Sequence, residues 1–284
     1  MPSRSAALPV LLAHLDGSSM LPASSAGSDP VLILPGGPCR GPEYLGAFSG
    51  LGDEHPFVVL HPRGTPRSGG LSRGWWTDAD DVIAAADALG VDRLRLVAHS
   101  AGTRLALAVA TRYPERVESM VLVTPPATWL SGTAYDGEEL PADRHDPAVA
   151  AAIRALEEPD ARTGAEFRAQ FLRQAPASYA HWGEAEQEHA PIGAVGLAAA
   201  HAWFDGIPDD AVAQVRAARR VPTLVVAGDR DLLTGLRPVI DYADALDAEL
   251  RVLKDCGHYP WVEQPAAFRE VVSDWLRRRS RAAG

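Results

Sequence analysis

Ser100, His258 and the aspartate pair Asp229 and Asp231 are residue types that together can turn a hydroxyl into a nucleophile. A serine hydroxyl is weak until a base takes its proton and a third group orients that base. Ser100 stands where an apolar strand pattern, Leu94-Arg95-Leu96-Val97-Ala98, runs into a helical one at Gly102, with Ala98, Ala101 and Gly102 as small neighbours. Asp229 and Asp231 follow a strand pattern at residues 223–227. His258 follows the last strand pattern, residues 250–253, and Gly257 beside it leaves that loop free to aim the imidazole. Attack on a carbonyl creates an oxyanion that needs fixed N–H donors. The amide of Ala101, at a helix start, supplies one. Gly37 supplies the other, because Pro38 has no N–H and a side chain at residue 37 would crowd the substrate.

These residues need elements to carry them. Val31-Leu32-Ile33-Leu34 and Phe57-Val58-Val59-Leu60 are short continuous apolar runs, as expected of strands buried on both faces. The first leads into Pro35-Gly36-Gly37-Pro38-Cys39, the second into His61-Pro62-Arg63-Gly64. Residues 8–14 and 19–21 flank Asp16-Gly17 and predict an edge hairpin. Thr77 reads as a helix cap, with Asp78, Asp80 and Asp81 in the first turn against the helix dipole. Val82, Ala85, Ala86 and Leu89 then recur at helical spacing until Gly90. A further strand is expected at residues 119–123. Strand, helix and strand alternate, which predicts an α/β fold with a doubly wound, mostly parallel sheet.

From residue 125 to 220 the alternation fails and a helical insertion is expected, leaving residues 1–124 and 221–284 as the core domain. The insertion holds 15 acidic and 8 basic side chains and eight of the 19 aromatic residues. Some of those aromatics must roof the serine, since such an insertion over strand ends encloses the ligand cavity. At the end of the chain Phe268, Val271, Val272, Trp275 and Leu276 form a helical face for the sheet.

The formal charge of −10 disfavours nucleic acid and anionic membranes, which are bound through clustered positive charge. No apolar run approaches the roughly 20 residues that span a bilayer. The run from Ala6 to Leu15 is broken or bounded by Pro9, His14 and Asp16 and is not read as a signal peptide. Two cysteines, Cys39 and Cys256, make neither a disulfide framework nor a metal cluster, so no cofactor or metal and a reducing, cytoplasmic setting are expected. The oligomeric state is not legible.

The Ser100 junction resembles the nucleophile elbow of the α/β hydrolases, in which the serine sits on a strained strand-to-helix turn and acid and histidine follow in that order. Pro35-Gly36-Gly37-Pro38-Cys39 resembles the His-Gly-Gly-Pro-Gly of the prolyl aminopeptidase (proline iminopeptidase) type. Arg63-Gly64 with Ser68, and Gly257-His258 with Glu263 and Pro265, resemble its other motifs. The resemblance implies an α/β-hydrolase fold with a helical cap, and its Gly-x-x-Asp pattern selects Asp231 over Asp229 as the acid. It also implies cap glutamates that receive a free amine. Tyr179-Ala180-His181-Trp182-Gly183-Glu184 is similar to the segment carrying one of them, and Ala199-Ala200-His201-Ala202-Trp203 to the segment of the second. Glu184, Trp182, Tyr179 and His201 are thus the implied substrate-binding residues. The implied reaction is cleavage of a small aminoacyl amide, from a small molecule or short peptide with a free amine, through an acyl-enzyme. A carboxylic ester hydrolase with the same triad is the alternative. A non-catalytic ligand-binding scaffold is disfavoured by the intact serine, acid and histidine.

Overall fold

Among the described residues, seven strands form one sheet, and their side chains alternate between two separate apolar clusters. The structure, a computed structural model, describes residues 11–13, 30–142 and 145–282. The strands are β1 (Leu11–Ala13), β2 (Val31–Leu34), β3 (Phe57–His61), β4 (Leu94–His99), β5 (Val117–Val123), β6 (Thr223–Gly228) and β7 (Glu249–Leu253), in the spatial order β1-β3-β2-β4-β5-β6-β7. All pairings are parallel except that of β1 with β3. The chain has the α/β-hydrolase fold. The edge hairpin expected around Asp16-Gly17 lies, apart from β1, outside the described residues.

The continuous apolar runs are explained by burial on both faces. Leu32, Leu34, Val58, Leu60, Leu96, Ala98 and Leu122 enter one cluster, while Val31, Ile33, Phe57, Val59, Val97, Val121 and Val123 enter the other. The first cluster is closed by α1 (Ala79–Leu89) and α2 (Gly102–Arg112), the second by the C-terminal helix, through Phe268, Val272, Trp275 and Leu276. Asp78 and Asp81 stand at the start of α1. Both are buried and pair with Arg63 and Arg73, at 2.5 Å for Arg63 Nε to Asp81, so the Arg63 loop is tied to the start of α1.

Between β5 and β6 the chain is helical: α3 (Thr128–Ser131), α4 (Pro147–Ala155), α5 (Gly164–Gln174), α6 (Glu184–His189), α7 (Leu197–Ala202) and α8 (Ala211–Ala217). After β6 come α9 (Arg237–Ala245), α10 (Pro260–Glu263) and α11 (Pro265–Ala282). The two ends of this stretch pack on core helices, α3 on α9 and α8 on α2, through Ala127, Leu130, Ala211 and Val215. Among the described residues no helix is long and apolar enough to cross a membrane.

Candidate active site

Ser100 follows the last residue of β4 and has φ +48°, a left-handed conformation that a non-glycine residue adopts only when its surroundings hold it there. Its N–H donates to Val123 O at 2.9 Å, and Thr103 N donates to its carbonyl at 2.9 Å. The turn is therefore anchored to the neighbouring strand on one side and to the first turn of α2 on the other.

Asp231, three residues beyond β6, is 1 % exposed and receives four donors: Leu233 N (3.0 Å), Thr234 N (3.3 Å), Thr234 Oγ1 (2.7 Å) and His258 Nδ1 (2.8 Å). Because the carboxylate accepts, Nδ1 carries the proton and Nε2 of His258 keeps its lone pair. Asp229 faces elsewhere, toward Cys256 N and Lys254 Nζ, both at 3.4 Å. Among the described residues the Ser100 hydroxyl makes no hydrogen bond to His258. Such contacts often tighten only around substrate.

The His258 backbone is held from three sides. Its N–H donates to Ser178 O at 2.8 Å, and its carbonyl accepts from His99 Nε2 and Thr124 Oγ1, each at 3.1 Å. The His99 bond fixes a tautomer: Nε2 donates, so Nδ1 accepts from the Tyr44 hydroxyl at 2.9 Å, and that hydroxyl accepts from Gly36 N at 2.7 Å. Burial holds the His99 pKa well below the usual histidine value, which keeps this arrangement neutral. Gly257 is explained by close approach rather than by loop freedom. A Cβ there would lie 2.8 Å from Ala180 N and Ser178 O, where the insertion passes. Glu263, the motif acid, collects three N–H groups, from Ala180 (2.6 Å), Gly257 (3.0 Å) and Tyr259 (3.2 Å). Burial pushes its carboxyl up to about 8, against the opposite pull of those donors.

Ser100 and His258 share a cavity of about 260 Å³ with Gly37, Arg40, Tyr44 and His99 from the core, and Phe167, Phe171, Gln174 and Ser178 from the insertion. Gly36 N is engaged by Tyr44, so Gly37 is the amide this loop can turn toward the cavity. Gly37 has φ +137°, and a Cβ there would lie 2.3 Å from Arg40 N. A larger cavity of about 550 Å³, between α4 and the Leu232-Leu233 turn, holds none of the candidate residues and meets the first only at Leu233. Ser100 and His258 border only the smaller one.

The expected amine-binding set lies apart from this cavity. Glu184 is exposed at the start of α6 and His201 is exposed on α7, and neither borders the cavity. Tyr179 is buried, donating to His189 Nδ1 at 2.7 Å, with Trp182 against its ring, so both act as support behind the wall. Of the eight aromatics in the insertion, Phe167 and Phe171 border the cavity; with Gln174, which sequence reasoning missed, they occupy one face of α5 at i, i+4 and i+7. The available signal was Phe167 and Phe171 spaced four apart, with Gln174 one turn further on the same helix. Cys39 and Cys256 are buried free thiols, and burial pushes Cys39 up to about 12. Among the described residues no group of three or more His, Cys, Asp or Glu side chains is placed to hold a metal ion.

Residues 29–265 match the alpha/beta hydrolase fold family. The chain belongs to that family. As an α/β hydrolase it is 30 % identical over 221 residues to 2-hydroxymuconate semialdehyde hydrolase of Pseudomonas sp. (strain CF600), covering 77 % of this chain and 73 % of that one. It is 24 % identical over 283 residues to proline iminopeptidase of Lactobacillus delbrueckii subsp. bulgaricus, covering 87 % and 89 %. A thermophilic esterase from Thermogutta terrifontis superposes with a TM-score of 0.64 at 20 % identity over 95 % and 94 % of the chains. The relatives agree on hydrolysis and differ in what their names say they cleave.

Proposed function

We propose that this α/β hydrolase is a serine hydrolase that cleaves a carboxylic ester through an acyl-enzyme. The observation that carries the reading is the 2.8 Å bond from His258 Nδ1 to the buried Asp231, with Ser100 on its strained turn in the same cavity. In this reading Nε2 of His258 takes the proton as Ser100 Oγ attacks the carbonyl carbon. The amides of Gly37 and Ala101 receive the oxyanion. His258 then passes the proton to the departing alcohol, and a water activated by the same nitrogen releases the acid and restores Ser100.

Amide cleavage of an aminoacyl group is the second reading, supported by the proline iminopeptidase relative and the Gly-Gly-Pro loop. Against it, among the described residues those bordering the cavity include no carboxylate to receive an ammonium group, which favours the ester. The test is rapid-mixing hydrolysis of 4-nitrophenyl butyrate beside alanine and proline 4-nitroanilides. The reading expects a burst equal to the enzyme concentration with the ester, lost in Ser100→Ala, and anilide turnover at least about 100-fold slower. Faster turnover of the free-amine anilides than of the ester would reinstate the aminoacyl reading, and turnover surviving in Ser100→Ala would discard both.

A further inference from the structure

Arg40 follows the Gly36-Gly37-Pro38-Cys39 loop, borders the Ser100 cavity and is 2 % exposed. No carboxylate among the described residues comes within ion-pair distance of it: the other buried acids pair with different cations or with backbone. Its hydrogen-bond partners are neutral. Nε donates to Ile192 O at 3.0 Å, Nη2 to Ala190 O (3.1 Å) and Ile192 O (2.5 Å), and Nη1 to the Tyr259 hydroxyl at 2.8 Å. Rings complete the shell, with Tyr44 at 4.2 Å, Phe171 at 5.0 Å and Tyr259 at 5.6 Å from the guanidinium carbon.

Bolting the oxyanion loop to the segment after α6 accounts for these hydrogen bonds. It does not account for the charge. A buried ion without a counter-ion is costly, and buried charges are ordinarily paired. Carbonyl dipoles and ring faces offset part of that cost, but the guanidinium still has five N–H groups and only four bonds, so one N–H on Nη1 stays unassigned. Among the described residues, the cavity it borders contains Gln174 and Ser178 as further polar groups and no acid. The missing counter-ion is then best supplied by what enters the cavity.

We infer that the substrate carries a carboxylate that pairs with Arg40, so that the hydrolase acts on monoesters of small dicarboxylic acids or on esters of comparable anionic acyl groups. This rests on the ester reading above and reverses the charge expected from the resemblance: an anion at Arg40 in place of an ammonium at Glu184. Aromatic rings on three sides leave the charged end of the acyl chain in a water-poor setting, where a charge-assisted hydrogen bond is strong.

The test compares mono(4-nitrophenyl) esters of succinate, glutarate and adipate with the 4-nitrophenyl esters of butyrate, valerate and hexanoate. At the best chain length wild-type kcat/KM is expected to be about 10- to 100-fold higher for the anionic ester, the range for a hydrogen bond to a charged group. Arg40→Met is expected to bring that ratio to about 1 or below, and Arg40→Lys to recover part of it. Being a ratio within one protein sample, it is insensitive to partial loss of folded enzyme. Neutral esters preferred at every length by wild type, or an unchanged ratio in Arg40→Met, would overturn the inference. Calorimetry separates it from the ester reading and needs no turnover. Glutarate is expected to bind wild type at least about 10-fold more tightly than glutaramide, and equal binding or no binding of either would overturn the carboxylate site even if neutral esters are cleaved.

Discussion

The imidazole of His99, the residue directly before Ser100, donates through Nε2 to the backbone carbonyl of His258 at 3.1 Å. The His258 backbone is thereby held from the end of the strand that carries Ser100, while the Tyr44 hydroxyl links the same ring to Gly36 in the loop after β2. Three separate loops share one hydrogen-bonded chain.

Thr124 supplies the second donor to that carbonyl at 3.1 Å and does not border the cavity. Thr124→Val keeps the shape and removes the donor. It is expected to lower kcat about 10-fold through misplacement of His258, with KM little changed and stability reduced by about 1 kcal/mol. Steady-state kinetics and urea unfolding check both. A rise in KM at constant kcat would assign Thr124 to binding instead.

Asp231→Asn preserves size but lets the amide present N–H to His258, which favours the wrong tautomer. A fall in kcat of about 10⁴ is expected with the fold retained, by analogy with other serine hydrolases whose triad acid is amidated. Asp229→Asn should leave kcat within about threefold, since Asp229 faces Cys256 and Lys254. Reversed effects would exchange the two assignments.

That choice shows how much was legible. Strand patterns brought Ser100, the pair Asp229 and Asp231, and His258 to notice, because strands buried on both faces are conspicuous as unbroken Val, Leu and Ile; the choice of Asp231 came from the family resemblance. The insertion was legible only as helical. Its substrate residues were taken from a motif, whereas Glu184 starts a short solvent-exposed helix and part of the cavity wall comes from α5. Arg40 gave no signal, because an arginine in a loop reads as solvated until tertiary structure buries it. Gly257 was noticed for the wrong reason, since only the packed chain shows the insertion passing 2.8 Å from its missing Cβ.

Gly37→Ala is expected to reduce kcat by at least about 100-fold, in line with loss of an oxyanion donor. The new Cβ would lie 2.3 Å from Arg40 N and φ +137° excludes the side chain, so the loop must move. Circular dichroism should remain that of the folded protein, and unaltered kcat would remove Gly37 from the oxyanion site.

Acid should destabilise the protein through its buried histidines. Burial lowers His189 and His61 from 6.5 to about 4 and holds His99 well below its usual value. The unfolded chain binds protons near 6.5 that the folded one refuses, so their contribution is present above pH 6.5 and is lost as pH falls toward about 4. Glu263, raised to about 8, has the opposite sign and cancels one of them, since its contribution is lost as pH rises through 8. Each uncancelled group is worth about 1.4 kcal/mol per pH unit. Urea unfolding at pH 7, 6 and 5 should show falling stability, less steeply in His189→Gln. Stability constant over that range would contradict these burial-driven shifts.

The central claim is that Ser100 is the nucleophile, and intact-protein mass spectrometry after treatment with a fluorophosphonate tests it most directly. One adduct per chain is expected, mapped by peptide sequencing to Ser100, absent from Ser100→Ala and much slower to form in His258→Ala. Labelling at another residue, or undiminished labelling of Ser100→Ala, would contradict it.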